Sequence, residues 1–109
     1  MADRRLFARM ETKFPLKFLN MVNTNEECAQ VVDISAGGVG FVTNESLPVN
    51  TPLEMWLNIP DRHVPFYTKG EVAWSSPIPE LNQQRVGVRL EKAELMGLAR
   101  ILWLNNQVQ

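Results

Sequence analysis

Apolar residues recur at every second position through most of the chain and switch to helical spacing only near its end. In KFPLKFLNM (13–21), Phe14, Leu16 and Phe18 share one face, the period of a half-buried strand. Pro15 lacks a backbone donor, which suits an edge position or the start of pairing. VNTNEE (22–27) reads as a polar turn. CAQVVDI (28–34) is rich in β-branched residues, and VGFVT (39–43) follows as a short strand, closed by the turn residues of 44–52. LEMWLNI (53–59) alternates, with Leu53, Met55, Leu57 and Ile59 on one face. After the turn PDRHVP (60–65), residues 66–75 give a further strand with Val72 and Trp74 predicted inward. A Pro-rich connection (75–83) leads to RVGVRL (85–90), with Val86, Val88 and Leu90 on one face. Leu95, Leu98, Ala99 and Leu102 then predict a helix over 92–105. Six short strands followed by one helix predict an all-β fold, an antiparallel barrel or sandwich with the helix packed on it. Closing the sheet would remove its edges.

At 109 residues the chain fits one domain, expected over 1–109 as an arm (1–12), a barrel (13–91) and a C-terminal helix (92–105). Hydrophobic residues at 45% and charged residues at 21% are ordinary for a soluble globular protein. A net charge of -1 argues against a broad basic face for duplex DNA, so no nucleic-acid polymer is expected as partner. The single cysteine, Cys28, allows no internal disulfide and fits a reducing compartment. No apolar run approaches a membrane span, and the N-terminus lacks the apolar stretch of a signal peptide. A cytoplasmic location without membrane insertion is therefore expected.

The average charge hides a local excess. Residues 1–17 carry Arg4, Arg5, Arg9, Lys13 and Lys17 against Asp3 and Glu11. A solvated, frayed arm is one reading of that cluster. DISAGG (33–38), continuing as VGFV, is the second unusual stretch. It sets Asp33 and Ser35 just before Gly37, Gly38 and Gly40. It is no P-loop, because no terminal Lys and Ser or Thr follow, and it lacks the third glycine of a dinucleotide fingerprint. Asp33 and Ser35 could simply build an Asx- or ST-turn between strands.

Taken together, these stretches resemble the PilZ domain, the bacterial receptor module for cyclic di-GMP. RRLFAR carries Arg5 and Arg9 in the spacing R-x-x-x-R. DISAGG carries Asp33, Ser35 and Gly38 in the spacing D-x-S-x-x-G, and a VGVRL strand and terminal helix close the chain. The likeness runs from about residue 3 to about residue 104. It implies a six-stranded antiparallel β-barrel followed by an α-helix. It also implies that Arg5, Arg9, Asp33, Ser35 and Gly38 contact the ligand, with Arg4 as a further contact.

The residue chemistry is consistent with that implication. Cyclic di-GMP is a dianion with two guanines. A guanidinium can grip phosphate oxygens with two parallel hydrogen bonds, reach guanine O6 and N7, or stack on a base. Arg5 and Arg9 would lie about 6 Å apart on one helical face, or about 13 Å apart if extended; the arm is expected to order over the ligand. Asp33 as a carboxylate accepts, whereas guanine N1–H and N2–H₂ donate. Ser35 can do either. Gly38 allows φ > 0 and close approach of its amide.

Other residues carry less. Gly37 and Gly40 read as backbone geometry, His63 as an isolated turn residue, and Cys28 as a buried small apolar residue. Trp74 and Trp103 read as core and helix packing. Trp56 falls on the polar face of its strand, covered by the helix or in an interaction surface, and Arg89 could reach the site or face solvent. Three functions compete. The first is a non-catalytic receptor that binds cyclic di-GMP and signals to an effector protein by conformational change. The second is an adaptor of the same fold acting without ligand. The third, a cyclic dinucleotide hydrolase, would want clustered metal-binding acids and histidines, whereas the chain has one His and scattered acids. No metal, cofactor or catalytic residue is expected.

Overall fold

The computed structural model describes residues 10–35, 37–60 and 62–108, with side-chain surroundings for 13–35, 37–60 and 62–102. Six antiparallel strands form a closed barrel in the order β1-β2-β3-β6-β5-β4. They are β1 (Met10–Asn20), β2 (Glu26–Ser35), β3 (Gly38–Thr43), β4 (Pro52–Leu57), β5 (Phe66–Ile78) and β6 (Gln83–Leu90), followed by the helix α1 (Lys92–Val108). The all-β barrel with a C-terminal helix is thus as expected. β1 pairs with both β2 and β4, so the sheet has no free edge to protect.

The predicted inward faces are buried. Phe14, Leu16 and Phe18 of β1, Leu53, Met55 and Leu57 of β4, and Val86 and Val88 of β6 are almost fully enclosed. Phe18 and Phe41 meet at 5.3 Å between ring centroids. Leu95, Leu98 and Leu102 of α1 join this same core. The helix is also tied to the barrel at its first turn, where Thr68 Oγ1 on β5 donates to Glu94 Oε1 at 3.1 Å. Glu94 suits that place, since a carboxylate near a helix N-terminus meets the positive end of its dipole.

Several strands run further than their apolar residues. β1 begins at Met10, inside the segment 1–12 expected as an arm, and Met10 pairs with Ile34. The connection expected at 75–83 is largely strand. Ser75 to Ile78 pair with Val86 to Gln83, and a short 3₁₀ turn, Pro79–Leu81, closes the hairpin with Asn82 at φ 52°. Backbone pairing needs no apolar side chain, so the ladder continues through residues whose composition reads as loop.

Two bulges change which way side chains face. Val31 pairs with Phe41 and Asp33 with Gly40, leaving Val32 as an extra residue in β2. Val72 pairs with Val88 and Trp74 with Gly87, leaving Ala73 extra in β5. An extra residue reverses the in–out alternation beyond it. Val72 is buried, but Trp74, expected inward, is 45% exposed. Cys28 also departs from expectation. It is exposed, because it lies beside the exposed Glu26 and Glu27 and out of phase with the inward Val31.

Candidate functional site

Residues 33–38 form the end of β2 and its turn into β3. Ser35 pairs with Gly38, and Ser35 Oγ accepts the Gly37 N–H at 3.2 Å, the hydroxyl-to-backbone bond of an ST-turn. The turn reading of Ser35 therefore holds, whatever else its hydroxyl does. Gly38 has φ +127°, and a Cβ there would stand 1.9 Å from the Val88 carbonyl oxygen on β6. A side chain is excluded both by conformation and by contact with the neighbouring strand.

One row of residues crosses the outer wall of four strands. Asp33 on β2 pairs with Gly40 on β3, Gly40 with Gly87 on β6, and Gly87 with Trp74 on β5. The two glycines leave the middle of the row bare, and the outer side chains lie over them. A Cβ on Gly40 would fall 2.3 Å from Asp33 Oδ1, and one on Gly87 would fall 2.2 Å from the indole nitrogen of Trp74. Arg85, two residues before Gly87 on β6, reaches across β3, and its Nη2 donates to Asp33 Oδ2 at 2.5 Å. The pair is partly sheltered, with the carboxylate 13% and the guanidinium 36% exposed.

Asp33, Ser35, Trp74, Ser76 and Arg85 line an open cleft of about 470 Å³. A smaller hollow of about 50 Å³ adjoins it, between Asp33, Gly38 and Trp74. The wall thus offers an acceptor, a hydroxyl, an aromatic face and a guanidinium side by side. Such a set can bind a flat heterocycle with donor edges and an anionic group. No group of acids, histidines or cysteines suited to a metal occurs among the described residues.

A roomier cleft of about 540 Å³ lies elsewhere, lined by residues that include Met21, Lys69, Glu71 and Arg89. Its Arg89 donates to Glu71 at 2.9 Å, an exposed pair. Arg89 therefore faces that cleft and not the one at Asp33. Volume favours the larger space, but the convergence of Asp33, Ser35, Trp74 and Arg85 makes the smaller one the better candidate. On the opposite wall, Trp56 is covered by Lys17, whose Nζ sits 4.7 Å from the ring centre, and by Tyr67 at 5.4 Å. Tyr67 donates a short hydrogen bond to Glu54, which raises its phenol above the ordinary value by favouring the protonated form.

Of the residues expected at the site, the structure brings together Asp33, Ser35 and Gly38. Arg4, Arg5 and Arg9 lie outside the described residues. The strand that follows them is informative, since Met10 and Glu11 pair with Ile34 and Asp33. Trp74, Arg85 and Gly87 were not anticipated. The bulge that turns Trp74 outward has no composition signal, and Arg85 becomes a neighbour of Asp33 only once β6 lies beside β3.

No curated protein matches the chain significantly. Among solved structures, the fold is similar to the Bacillus subtilis inhibitor of motility MotI/DgrA, with TM-score 0.69 and 15% identity over 97% of this chain and 53% of that one. The chain thus spans about half of that protein's length. It is also similar to the PilZ domain of CeSA from a cellulose-synthesizing bacterium, with TM-score 0.63 and 11% identity over 92% and 98% of the two chains. At such identities these likenesses establish the fold. The PilZ domain sequence profile matches residues 3–103. With that match across the described barrel, the chain belongs to the PilZ domain family, the receptor family for cyclic di-GMP, whose domains are generally non-catalytic receptors or adaptors.

Proposed function

We propose that this chain is a non-catalytic receptor that binds cyclic di-GMP across the outer wall of β2, β3, β6 and β5 and signals to an effector protein by conformational change. The observation that carries the reading is the convergence of Asp33, Ser35, Trp74 and Arg85 on one open cleft. Asp33 accepts from the guanine N1–H and N2–H₂ edge. Trp74 offers its exposed indole to a base, a contact worth about 1–3 kcal/mol per stacked base. Arg5 and Arg9, with Arg4 beside them, grip the phosphates and the second guanine. Their place in the chain supports this. Arg9 immediately precedes Met10 in sequence, and Met10 pairs with Ile34, the residue next to Asp33. The ligand is the only small molecule the proposal needs; no cofactor takes part.

Isothermal titration calorimetry of the intact chain with cyclic di-GMP, beside an Arg5→Ala/Arg9→Ala variant, tests the proposal. Micromolar or tighter binding is expected. A charge-assisted hydrogen bond contributes about 1.5–3 kcal/mol, so loss of both arginines should weaken binding more than about a hundredfold. Affinity should also fall as salt rises, because part of the attraction is between exposed charges. An intact chain that binds nothing would leave the adaptor reading in its place, with a partner search as the next step.

A further inference from the structure

We propose that the outer wall of β4 and β5 is a homodimer interface. It docks on the same wall of a second copy of this chain, related by a two-fold axis that runs along the seam between the two strands. The inference is independent of ligand binding. Two cross-strand pairs carry it: Trp56 pairs with Tyr67, and Glu54 with Lys69. These side chains stand on the outer face, because the alternate residues Leu53, Met55, Leu57 and Thr68 are buried inside the barrel. A two-fold axis along the seam lays β4 of one copy over β5 of the other at the same height. Trp56 then faces Tyr67 of the second copy, and Glu54 faces Lys69 of the second copy. The axis repeats both contacts, as an isologous interface requires. One row is aromatic against aromatic and the other is acid against base, so the wall is complementary to itself.

The side chains are available for these contacts. Glu54 and Lys69 are cross-strand neighbours and could pair within one chain. They do not. Tyr67, the diagonal neighbour of Glu54, donates its hydroxyl to the Glu54 carboxylate. Lys69 is exposed, and no carboxylate is bonded to its ammonium among the described residues. The Tyr67 side chain is 43% exposed and leans on Trp56 at 5.4 Å, while the Lys17 ammonium stands over the same indole. The aromatic pair is thus held in place before docking, which lowers the ordering cost of association. Trp and Tyr are the residues enriched at the buried centre of interfaces. Charge decides between occupants. With one acid and one base in its row, the wall would repel a partner of either single sign at one of them, whereas a second copy matches both.

Sedimentation velocity of the full chain, from about 1 µM to 1 mM, tests the proposal. The unaltered chain should pass from monomer to dimer within that range. Glu54→Lys and Lys69→Glu each turn two attractive contacts into two repulsive ones, and each should raise the dimer dissociation constant about thirtyfold. An equimolar mixture of the two variants should return to within about threefold of the unaltered chain. In the mixed dimer one copy presents only cations at these positions and the other only carboxylates, so both contacts are attractive. Tyr67→Ser, which removes a ring and no charge, should weaken the dimer at least about tenfold and tests the aromatic row separately. A dimer unmoved by all three variants would use another face and would overturn the inference. A mixture as weak as its components would overturn it as well. An unaltered chain that stays monomeric throughout would also overturn it and would leave the wall to a different protein.

Discussion

Gly38 shows how one residue of a binding motif is fixed first by the backbone. Its φ of +127° and the Val88 carbonyl 1.9 Å from any Cβ are separate demands, and both belong to the barrel. Gly38→Ala should therefore destabilise the chain by at least about 2 kcal/mol, seen as a lower urea midpoint. Gly37→Ala, whose Cβ would meet only Ser35 Oγ, at 3.7 Å, among the described residues, should stay within about 0.5 kcal/mol of the unaltered chain. Equal stability of the two variants would contradict this account. Asp33, Ser35 and Gly38 were legible in the sequence because their spacing is local and their chemistry specific. Trp74 and Arg85 were not. Trp74 shares the parity of Val72 along the chain and loses it at Ala73. Arg85 is 52 residues from Asp33 in sequence, and only strand order makes them neighbours. Cys28 is exposed against the general tendency of cysteine toward burial, because its place in the strand alternation is out of phase with Val31.

Among the elements, the helix and most strands were legible because each buries one face. The 3.6-residue and 2-residue periods survive without knowledge of the partner. Strand ends and bulges were not, since backbone hydrogen bonds decide them and these leave no mark on composition. β5 running through Ser75–Ile78 is the clearest case. The bulges at Val32 and Ala73 matter more. They sit on β2 and β5, at the two sides of the cleft, and each turns a site residue outward that strict alternation would bury. α1 answers to packing rather than to chemistry. Leu98 is fully enclosed on a helix joined to the common core, so Leu98→Ala should cost about 2–5 kcal/mol. Cyclic di-GMP affinity measured well below the melting temperature should stay within about threefold, since Leu98 lines neither part of the site. A large affinity loss in a folded Leu98→Ala chain would show that the helix shapes the cleft.

At the scale of the whole molecule, the cleft exists only when β3 and β6 pair and bring β2 and β5 to one wall. Its lining comes from β2, β5 and β6, with β3 between as the glycine floor. Two of the pairings that join these strands are local hairpins, β2 with β3 and β5 with β6, but the β3–β6 pairing that joins them is distant in sequence, so the unfolded chain has no such wall. The arginine motif is different, because Arg5 and Arg9 are four residues apart whether the barrel is folded or not. The two halves of the proposed site can therefore be told apart by linkage. A ligand bound to the folded barrel and not to the unfolded chain stabilises the fold by about 2.7 kcal/mol at a concentration one hundred times its dissociation constant. For a domain of this size that is a rise of roughly 10 °C in melting temperature. Cyclic di-GMP at that concentration should produce such a rise, and the Arg5→Ala/Arg9→Ala chain should show little of it at the same concentration. If calorimetry detects binding but the melting temperature does not move, the ligand is held by the arm alone. The wall of Asp33, Trp74 and Arg85 would then take no part in recognition.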